Sequence, residues 1–380
     1  MASPPERDYQ SYARALALQN INMKVFTFTF AIPLLAFVLI VVSYAGPCPN
    51  VRVYRGNIGD HNIEMKLCQE ASNLSGSYFY DGIGKDLTLR GRIDAQGHLA
   101  LQEFDDSGKQ TGKFVCQLRF DADSDPAAII DGKWSRADGS RETFVFLTEQ
   151  YIGFTGSLRV IPKVITERRY NISVSYPQLT GGSDPAVAGF NSTVTALVSK
   201  LIKEFKEGEP SPDRSVCQLN YNILLATDSM ISLEFSEYAD WGGAHPNSYY
   251  HAINYDLRAG QEMEIEALFK PASDYKNAIR RYCLENLNTQ WRKLEEREGR
   301  KPDQSDEYFT SEELSAYFAS KRLRDKNGWA MTRSRIVIYF DFPHAIAVFN
   351  RSFISYRDLE SFINPGGPAA VFSKGQRKPQ

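Results

Sequence analysis

The chain has 380 residues, and its 44 basic and 46 acidic side chains leave a formal net charge of −2. This balance excludes a strongly basic nucleic-acid-binding protein, so no nucleic-acid partner is expected. The length is sufficient for two domains, each with a hydrophobic core of its own. The 20 tyrosines and 23 phenylalanines favour strands and interaction surfaces.

The N-terminal region predicts export from the cytoplasm. A short polar leader, residues 1–24, precedes an apolar run from Val25 to Val42 in which Pro33 is the one potential kink. The run lies at the lower edge of the ~20 residues that cross a bilayer, and it is long for the apolar part of a signal peptide. We expect residues 25–45 to form either a transmembrane anchor behind a cytoplasmic leader or a signal peptide cleaved before Gly46. A buried core helix is the remaining alternative.

The cysteines fit an oxidising compartment, where disulfides persist. The simplest pairing places one disulfide in each half of the chain and leaves Cys48 over, although spacing does not determine connectivity. The candidate disulfide cysteines are Cys68, Cys116, Cys217 and Cys283. None of the cysteines is close enough to another to indicate a zinc site, and no metal site or cofactor is expected.

Residues 64–158 predict a β-rich domain. Segments such as Asp86–Ile93 and His98–Phe104 alternate apolar and polar residues, which is typical of half-buried strands. Asp- and Gly-containing turns such as Asp94–Gly97 separate them. Closely spaced antiparallel strands favour a meander that curls into a small barrel, because closure protects the sheet edges.

The pattern changes after Pro162, where we place a domain boundary, and residues 165–362 predict an α+β domain with an antiparallel sheet and flanking helices. Apolar residues at helical spacing from Asp184 to Glu207 indicate an amphipathic helix, which Asp184 caps before Pro185. Residues 363–380 are expected to be a disordered tail. The other predicted elements are strands at 170–177, 216–226, 230–238, 248–257 and 336–340, helices at 273–297, 311–324 and 356–362, and a hairpin strand at 345–349.

The loop between the strands at 230–238 and 248–257 has an unusual composition. Its glycines permit backbone angles that other residues avoid, and its proline fixes φ, so that an aromatic ring, an imidazole and an amide sit on a rigid frame. This combination suits recognition of a partner. The candidate partner-binding residues are Trp241, Gly242, Gly243, His245, Pro246, Asn247 and Tyr249.

The same loop carries a family resemblance. Tyr176–Leu179, Gly242–Asn247, Ile253–Leu257 and Leu268-Phe269 resemble the extracytoplasmic region shared by the lysozyme-binding anti-sigma factor RsiV and the peptidoglycan deacetylase PdaC. The resemblance implies an envelope location and a lysozyme-type muramidase as a protein partner. No stretch resembles the deacetylase domain itself, so that activity is not carried over.

The histidines do not form a recognisable catalytic motif. The chain has 5 of them, and no pair has the spacing of two metal ligands on one helical face. Glu234 and Glu237 are expected on opposite faces of one strand, which disfavours a carboxylate pair. The alternative is a cell-wall hydrolase or deacetylase in which His245 and His251, with Asp240 nearby, hold a metal.

The sequence thus predicts a binding protein of the cell envelope that is not an enzyme. It would be membrane-anchored through residues 25–45 with its bulk in the periplasm, or secreted if the segment is cleaved. A lysozyme-type muramidase is the expected partner, which the protein would either sense or inhibit. Binding to peptidoglycan through aromatic surfaces is a further possibility.

Overall fold

The fold is described from a computed structural model of the chain. The predicted leader and apolar segment, residues 1–45, lie outside the described residues. Within the described part, no helix combines the length and apolarity that crossing a membrane requires. The described residues are 48, 50–120, 128–212, 214–243, 245–300, 308–319 and 328–373.

The first part of the chain forms a closed eight-stranded antiparallel barrel, in which the first strand pairs with both the second and the eighth. The predicted barrel is therefore confirmed, but it begins at Val51 rather than at residue 64. The missed first strand pairs along its whole length with the second, Val51 opposite Cys68 and Ile58 opposite His61. The strands are β1 Val51–Ile58, β2 His61–Glu70, β3 Asn73–Tyr80, β4 Leu87–Ile93, β5 His98–Phe104, β6 Gln110–Phe120, β7 Ala128–Arg136 and β8 Glu142–Gln150.

Buried side chains fill the barrel interior, and in strands such as β4 and β5 they alternate with side chains that are not buried. In β5 the pattern is strict, with Leu99, Leu101 and Glu103 buried between exposed neighbours. Glu103 is 3% exposed and accepts hydrogen bonds from the Tyr78 hydroxyl (2.7 Å) and the Trp134 indole N–H (2.6 Å). A buried carboxylate is tolerated because its oxygens are hydrogen-bonded.

The second part contains a seven-stranded mixed sheet in the order β10-β11-β12-β13-β14-β15, with β9 paired to β12. The predicted antiparallel sheet needs one correction, because β11 and β12 are parallel over Ile172–Val174. The intervening helix α1 makes the crossover that parallel neighbours require. The elements are β9 Ile152–Gly153, β10 Arg159–Glu167, β11 Ile172–Thr180, α1 Pro185–Glu207, β12 Val216–Thr227, β13 Met230–Asp240, β14 Asn247–Asp256 and β15 Gln261–Glu262.

The change from the barrel to the second sheet lies between β8 and β9. Strand β10 pairs with β11 from Arg159 to Glu167, so the residues around Pro162 belong to the second sheet. Helix α1 agrees with the prediction, since Asp184 accepts a hydrogen bond from the backbone of Ala186 and Pro185 occupies the first turn. Its buried face packs against the sheet through Phe190, among others.

The remaining elements form a three-stranded antiparallel sheet, β16-β17-β18, and the helices that pack on it. The predicted strand at 345–349 is wrong: His344–Phe349 is a 3-10 helix, and Arg351–Ser355 is the hairpin partner of β17. Pro343 cannot continue the ladder because it has no N–H. The elements are α2 Tyr275–Arg297, α3 Ser311–Ala319, β16 Trp329–Met331, β17 Arg335–Tyr339, β18 Arg351–Ser355 and α4 Ala370–Ser373.

Two predictions for the C-terminal residues are also wrong. Residues 356–362 form consecutive turns rather than a helix. The expected disordered tail is ordered up to Ser373, because Ala369 and Ala370 are buried and the Phe372 ring stacks on Tyr356 with centroids 6.0 Å apart. Apolar packing, which composition alone did not reveal, holds this segment against the core that includes α2.

The predicted disulfide pairing is wrong as well. Cys48, which was left over, is bonded to Cys68, while Cys116, Cys217 and Cys283 are free and buried. Cys48 precedes β1, whose first residue lies opposite Cys68, so the chain brings these two together. Cys217 and Cys283 belong to different hydrophobic cores and cannot pair.

Candidate functional site

The candidate recognition loop connects the end of β13 to the start of β14. Gly242 has φ +84°, a conformation that L side chains rarely adopt, and its N–H donates to Oδ1 of Asp240 at 2.8 Å. A Cβ at Gly242 would also lie 3.0 Å from Cβ of Ser211. The loop therefore needs glycine here, both for backbone angle and for space.

Trp241 anchors the base of this loop. It is half-buried, its indole N–H donates to the backbone carbonyl of Phe205 at 2.9 Å, and its ring lies 5.4 Å from the Phe205 ring. Gly208 leaves the space that the indole occupies, because a Cβ there would lie 2.4 Å from Nε1. Trp241 thus ties the loop to the end of α1, and direct contact with a partner stays a prediction.

His245 projects from the loop into solvent and stacks on a second histidine. The rings of His245 and His344 lie 5.6 Å apart and are inclined by only 18°. Both side chains are exposed. Sequence reasoning missed His344 as a neighbour because it comes from the 3-10 helix near the C-terminus, far along the chain. Of the other predicted residues, Gly243 is exposed, and Pro246, Asn247 and Tyr249 are half-buried.

His251 does not join His245. It lies on β14 with Nε2 2.7 Å from Oε2 of Glu237 on β13, and it is half-buried. Asp240, the third member of the metal alternative, accepts the loop N–H described above. Over the described residues, no group of three or more His, Cys, Asp and Glu side chains is arranged to hold a metal.

A partly buried ion pair joins β13 to β18. Glu234 is 3% exposed, accepts a hydrogen bond from the Tyr339 hydroxyl at 2.9 Å, and lies 3.4 Å from Nη1 of Arg351. Burial, together with the charge of Glu234, holds the pKa of Tyr339 well above its ordinary value. Burial would lower the pKa of Arg351, but the Glu234 charge and neighbouring tyrosines outweigh burial and raise it.

This ion pair connects the main sheet to the small C-terminal sheet and reaches the surface. The Arg351 guanidinium lies 4.8 Å above the Tyr250 ring, which stacks on Tyr339 at 5.6 Å. The Arg351 side chain is 39% exposed. The expected opposite placement of Glu234 and Glu237 is confirmed by their different partners. Glu234 itself, a charged residue within the largely apolar run Met230–Phe235, was the one sequence signal that a buried partner exists.

Together these groups form what we call the loop surface, which joins the start of β14 to the C-terminal 3-10 helix. Five of its members share the histidine stack, the 3-10 helix of His344 and Val348, or the contact of Arg351 with Tyr250, and the sixth, Tyr238, lies on β13 opposite Ser248 of β14. Val348 is 67% exposed and Tyr238, one strand over, is 38% exposed. The loop surface consists of Tyr238, His245, Tyr250, His344, Val348 and Arg351.

Aromatic rings, an arginine and imidazoles on a fixed frame are typical of protein-binding surfaces, where such residues form energetic anchors. Residues 166–248 match the family model described as Deacetylase PdaC. The resemblance to PdaC is thereby confirmed for this segment, which contains β11 to β13 and the whole of the loop.

Relatives are similar over limited parts of the chain. The curated peptidoglycan-N-acetylmuramic acid deacetylase PdaC of Bacillus subtilis (strain 168) is 25% identical over 125 residues, which is 33% of this chain. The chain spans only 27% of that relative's length. The similarity therefore concerns one region and not the whole of the enzyme.

Two solved structures of DUF3298 family proteins also show similarity. The protein from Pseudomonas aeruginosa PAO1 is 15% identical, with a TM-score of 0.36, over 55% of this chain and 94% of its own. The protein from Bacteroides fragilis NCTC 9343 is 14% identical, also with a TM-score of 0.36, over 58% of this chain and 99% of its own. A score of this size does not establish a shared fold.

Proposed function

We propose that the protein is an exported binding protein of the cell envelope that recognises a protein partner through the loop surface and has no catalysis of its own. The observation that carries this proposal is that the segment matching the PdaC family model, residues 166–248, contains a loop on a rigid frame with an exposed histidine. Its frame is supplied by the Trp241 hydrogen bond and the Gly242 turn.

Two observations support an extracytoplasmic location. The Cys48–Cys68 disulfide is typical of oxidising compartments. The curated relative's name places its substrate, peptidoglycan, in the cell envelope. Residues 25–45 would anchor the protein in the membrane, or would direct its secretion if they are cleaved.

We propose a lysozyme-type muramidase as the partner, on the basis of the resemblance of the loop and adjoining strands. A net charge of −2 provides little long-range attraction to a basic protein. Affinity would then come from close contacts at a few anchors, and the exposed imidazoles and Arg351 are the groups that offer them.

Calorimetric titration of residues 46–380 with lysozyme tests this proposal. Binding should be saturable at or below roughly tens of micromolar, and His245→Ala should weaken it because the exposed imidazole is lost. His98→Ala is the matched control, since His98 is an exposed histidine on the barrel. Absence of binding by the unaltered protein would rule out this partner. An equal loss of affinity for lysozyme in both variants would show that the binding site does not include the loop.

The same samples test the absence of catalysis and separate sensing from inhibition. Incubation with purified peptidoglycan should release neither soluble fragments nor acetate, and release of either would support the hydrolase or deacetylase alternative. Lysozyme activity in the presence of the protein should fall with saturation if the protein inhibits, and stay unchanged if it senses.

A further inference from the structure

A cleft lies where the barrel meets the second sheet, and the proposed function does not use it. Its cavity volume is about 390 Å³, within the range of ~300–1,000 Å³ typical of small-molecule sites. The barrel contributes Tyr80 and the turn after β3, and the second sheet contributes residues of β10 and β11, including Ser173.

The floor of the cleft is polar and held in place by a buried cation. Oδ2 of Asp81 accepts hydrogen bonds from Arg55 Nη2 and from the Ser175 hydroxyl, both at 2.6 Å. Arg55 is 3% exposed and stacks on the Tyr221 ring, with its guanidinium carbon 3.9 Å from the centroid. The Asp81 side chain is only 4% exposed, and Arg55 also lies 3.7 Å from Glu64, so the carboxylate lines the cleft from within a rigid, charged network.

The walls carry hydroxyl and amide groups. The Ser173 and Thr166 side chains line the cleft and are exposed. Asn62 uses its amide N–H to bond Oδ1 of Asn220, which leaves its own carbonyl oxygen as an acceptor. These groups can exchange hydrogen bonds with a ligand that both donates and accepts.

The rim is apolar and includes an aromatic platform. The Tyr80 ring is braced edge-on by His61, with centroids 5.9 Å apart and planes at 90°. Ile83 is 71% exposed and Val164 is 38% exposed, and both line the cleft. An aromatic face beside aliphatic groups can pack against the C–H face of a ring while the polar floor bonds its hydroxyl groups.

We propose that this cleft binds a saccharide of one or two pyranose rings. A pyranose combines an apolar face with hydroxyl groups that donate and accept, which matches the rim and the floor together. Inorganic phosphate is the ligand to be distinguished from a saccharide, because the exposed Arg141 guanidinium also lines the cleft, beside Asp60. A wholly apolar ligand would leave the exposed wall hydroxyls of Ser173 and Thr166 without partners.

This site is independent of the loop surface, because the two sets of residues do not overlap. Saturation-transfer difference NMR on the full chain, kept free of sugar-based detergents, tests the saccharide directly. The probes are methyl β-glucopyranoside, cellobiose and N,N′-diacetylchitobiose, with inorganic phosphate as the competing anion. At least one saccharide should bind saturably, with a Kd on the order of millimolar.

Two variants locate the binding. Ser173→Trp should fill the cleft and weaken saccharide binding by about tenfold or more, and Tyr80→Ala should weaken it by removing the platform. Ser199→Trp, at an exposed serine of α1, is the control for the large ring and should leave binding unchanged. Tyr308→Ala, at a tyrosine that is 42% exposed and lines neither site, is the control for the lost tyrosine.

Three results would overturn the proposal. The first is that no saccharide binds at roughly tens of millimolar. The second is that binding survives both Ser173→Trp and Tyr80→Ala. The third is that phosphate alone binds, or displaces the saccharide from the cleft. A failure here leaves the lysozyme titration untouched, so the two proposals are tested separately.

Discussion

Two buried glutamates show how differently the barrel and the second sheet use the same group. Glu103 and Glu234 are both 3% exposed. Glu103 is bonded by neutral donors inside the barrel, whereas Glu234 pairs with Arg351, whose side chain is 39% exposed. The barrel carboxylate is enclosed by its own fold, while the sheet carboxylate fixes a cation that reaches the loop surface. The barrel therefore supplies a closed scaffold, and the sheet supplies a supported contact surface.

The largest expected loss of stability comes from removing the carboxylate at the centre of the hydrogen-bond network inside the barrel. Glu103→Ala removes the shared acceptor of Tyr78, Trp134 and Thr111, so the free energy of unfolding should fall by about 3 kcal/mol. Urea denaturation measures it. Glu142→Ala, which removes an exposed carboxylate from the outside of the barrel, is the control and should change stability by less than about 0.5 kcal/mol. Equal losses of stability in the two variants would show that the enclosed network contributes no more than an exposed carboxylate.

A smaller effect is expected at the ion pair of the sheet. Arg351→Ala leaves Glu234 without its cation and should cost about 1–2 kcal/mol, less than for a fully buried pair because Arg351 reaches solvent. Arg351→Lys keeps the charge but loses the planar contact with Tyr250. Its loss of stability should therefore be smaller than that of Arg351→Ala but greater than zero. A loss larger than that of Glu103→Ala would reverse the comparison between the two regions.

Alkaline pH should lower the free energy of unfolding through buried thiols in both regions. Burial raises the pKa of the Cys116 thiol in the barrel, and that of Cys217 in the sheet, to about 12 in each case. In the unfolded chain such thiols ionise near ~8.5, so the unfolded state releases protons first and stability falls as pH rises from about 8.5 towards 12. Urea denaturation across this range should show the decline, and Cys116→Ala and Cys217→Ala should each make it shallower. A stability that does not change over this range would contradict the account.

Sequence reasoning predicted those parts of the fold that local patterns encode. The alternation in β5 and the Asp184–Pro185 start of α1 were sufficient because a single face or a single cap determines them. The predicted cysteine pairing was wrong because the spacing of cysteines does not show which strands are neighbours. Cys48 meets Cys68 because β1 pairs with β2. The prediction of a disordered tail was wrong because Ala369 and Ala370 are buried by distant segments of the chain.

The candidate loop surface was predicted only in part for the same reason, and its role in binding stays a prediction. The loop was found because Gly242, Pro246 and their neighbours are consecutive. His344 and Arg351 were missed because they reach the loop surface only through the C-terminal hairpin, whose second strand is Arg351–Ser355 and not 345–349. Contacts between segments far apart in the chain are set by tertiary packing, which periodicity does not record.

Hydrogen–deuterium exchange of the protein with and without lysozyme tests the central claim most directly, because it reports on both regions in one measurement. The account predicts that lysozyme protects peptides covering residues 241–249 and 344–351, while peptides from the barrel, residues 51–150, are unchanged. Protection confined to the barrel, or none anywhere at saturating lysozyme, would contradict it.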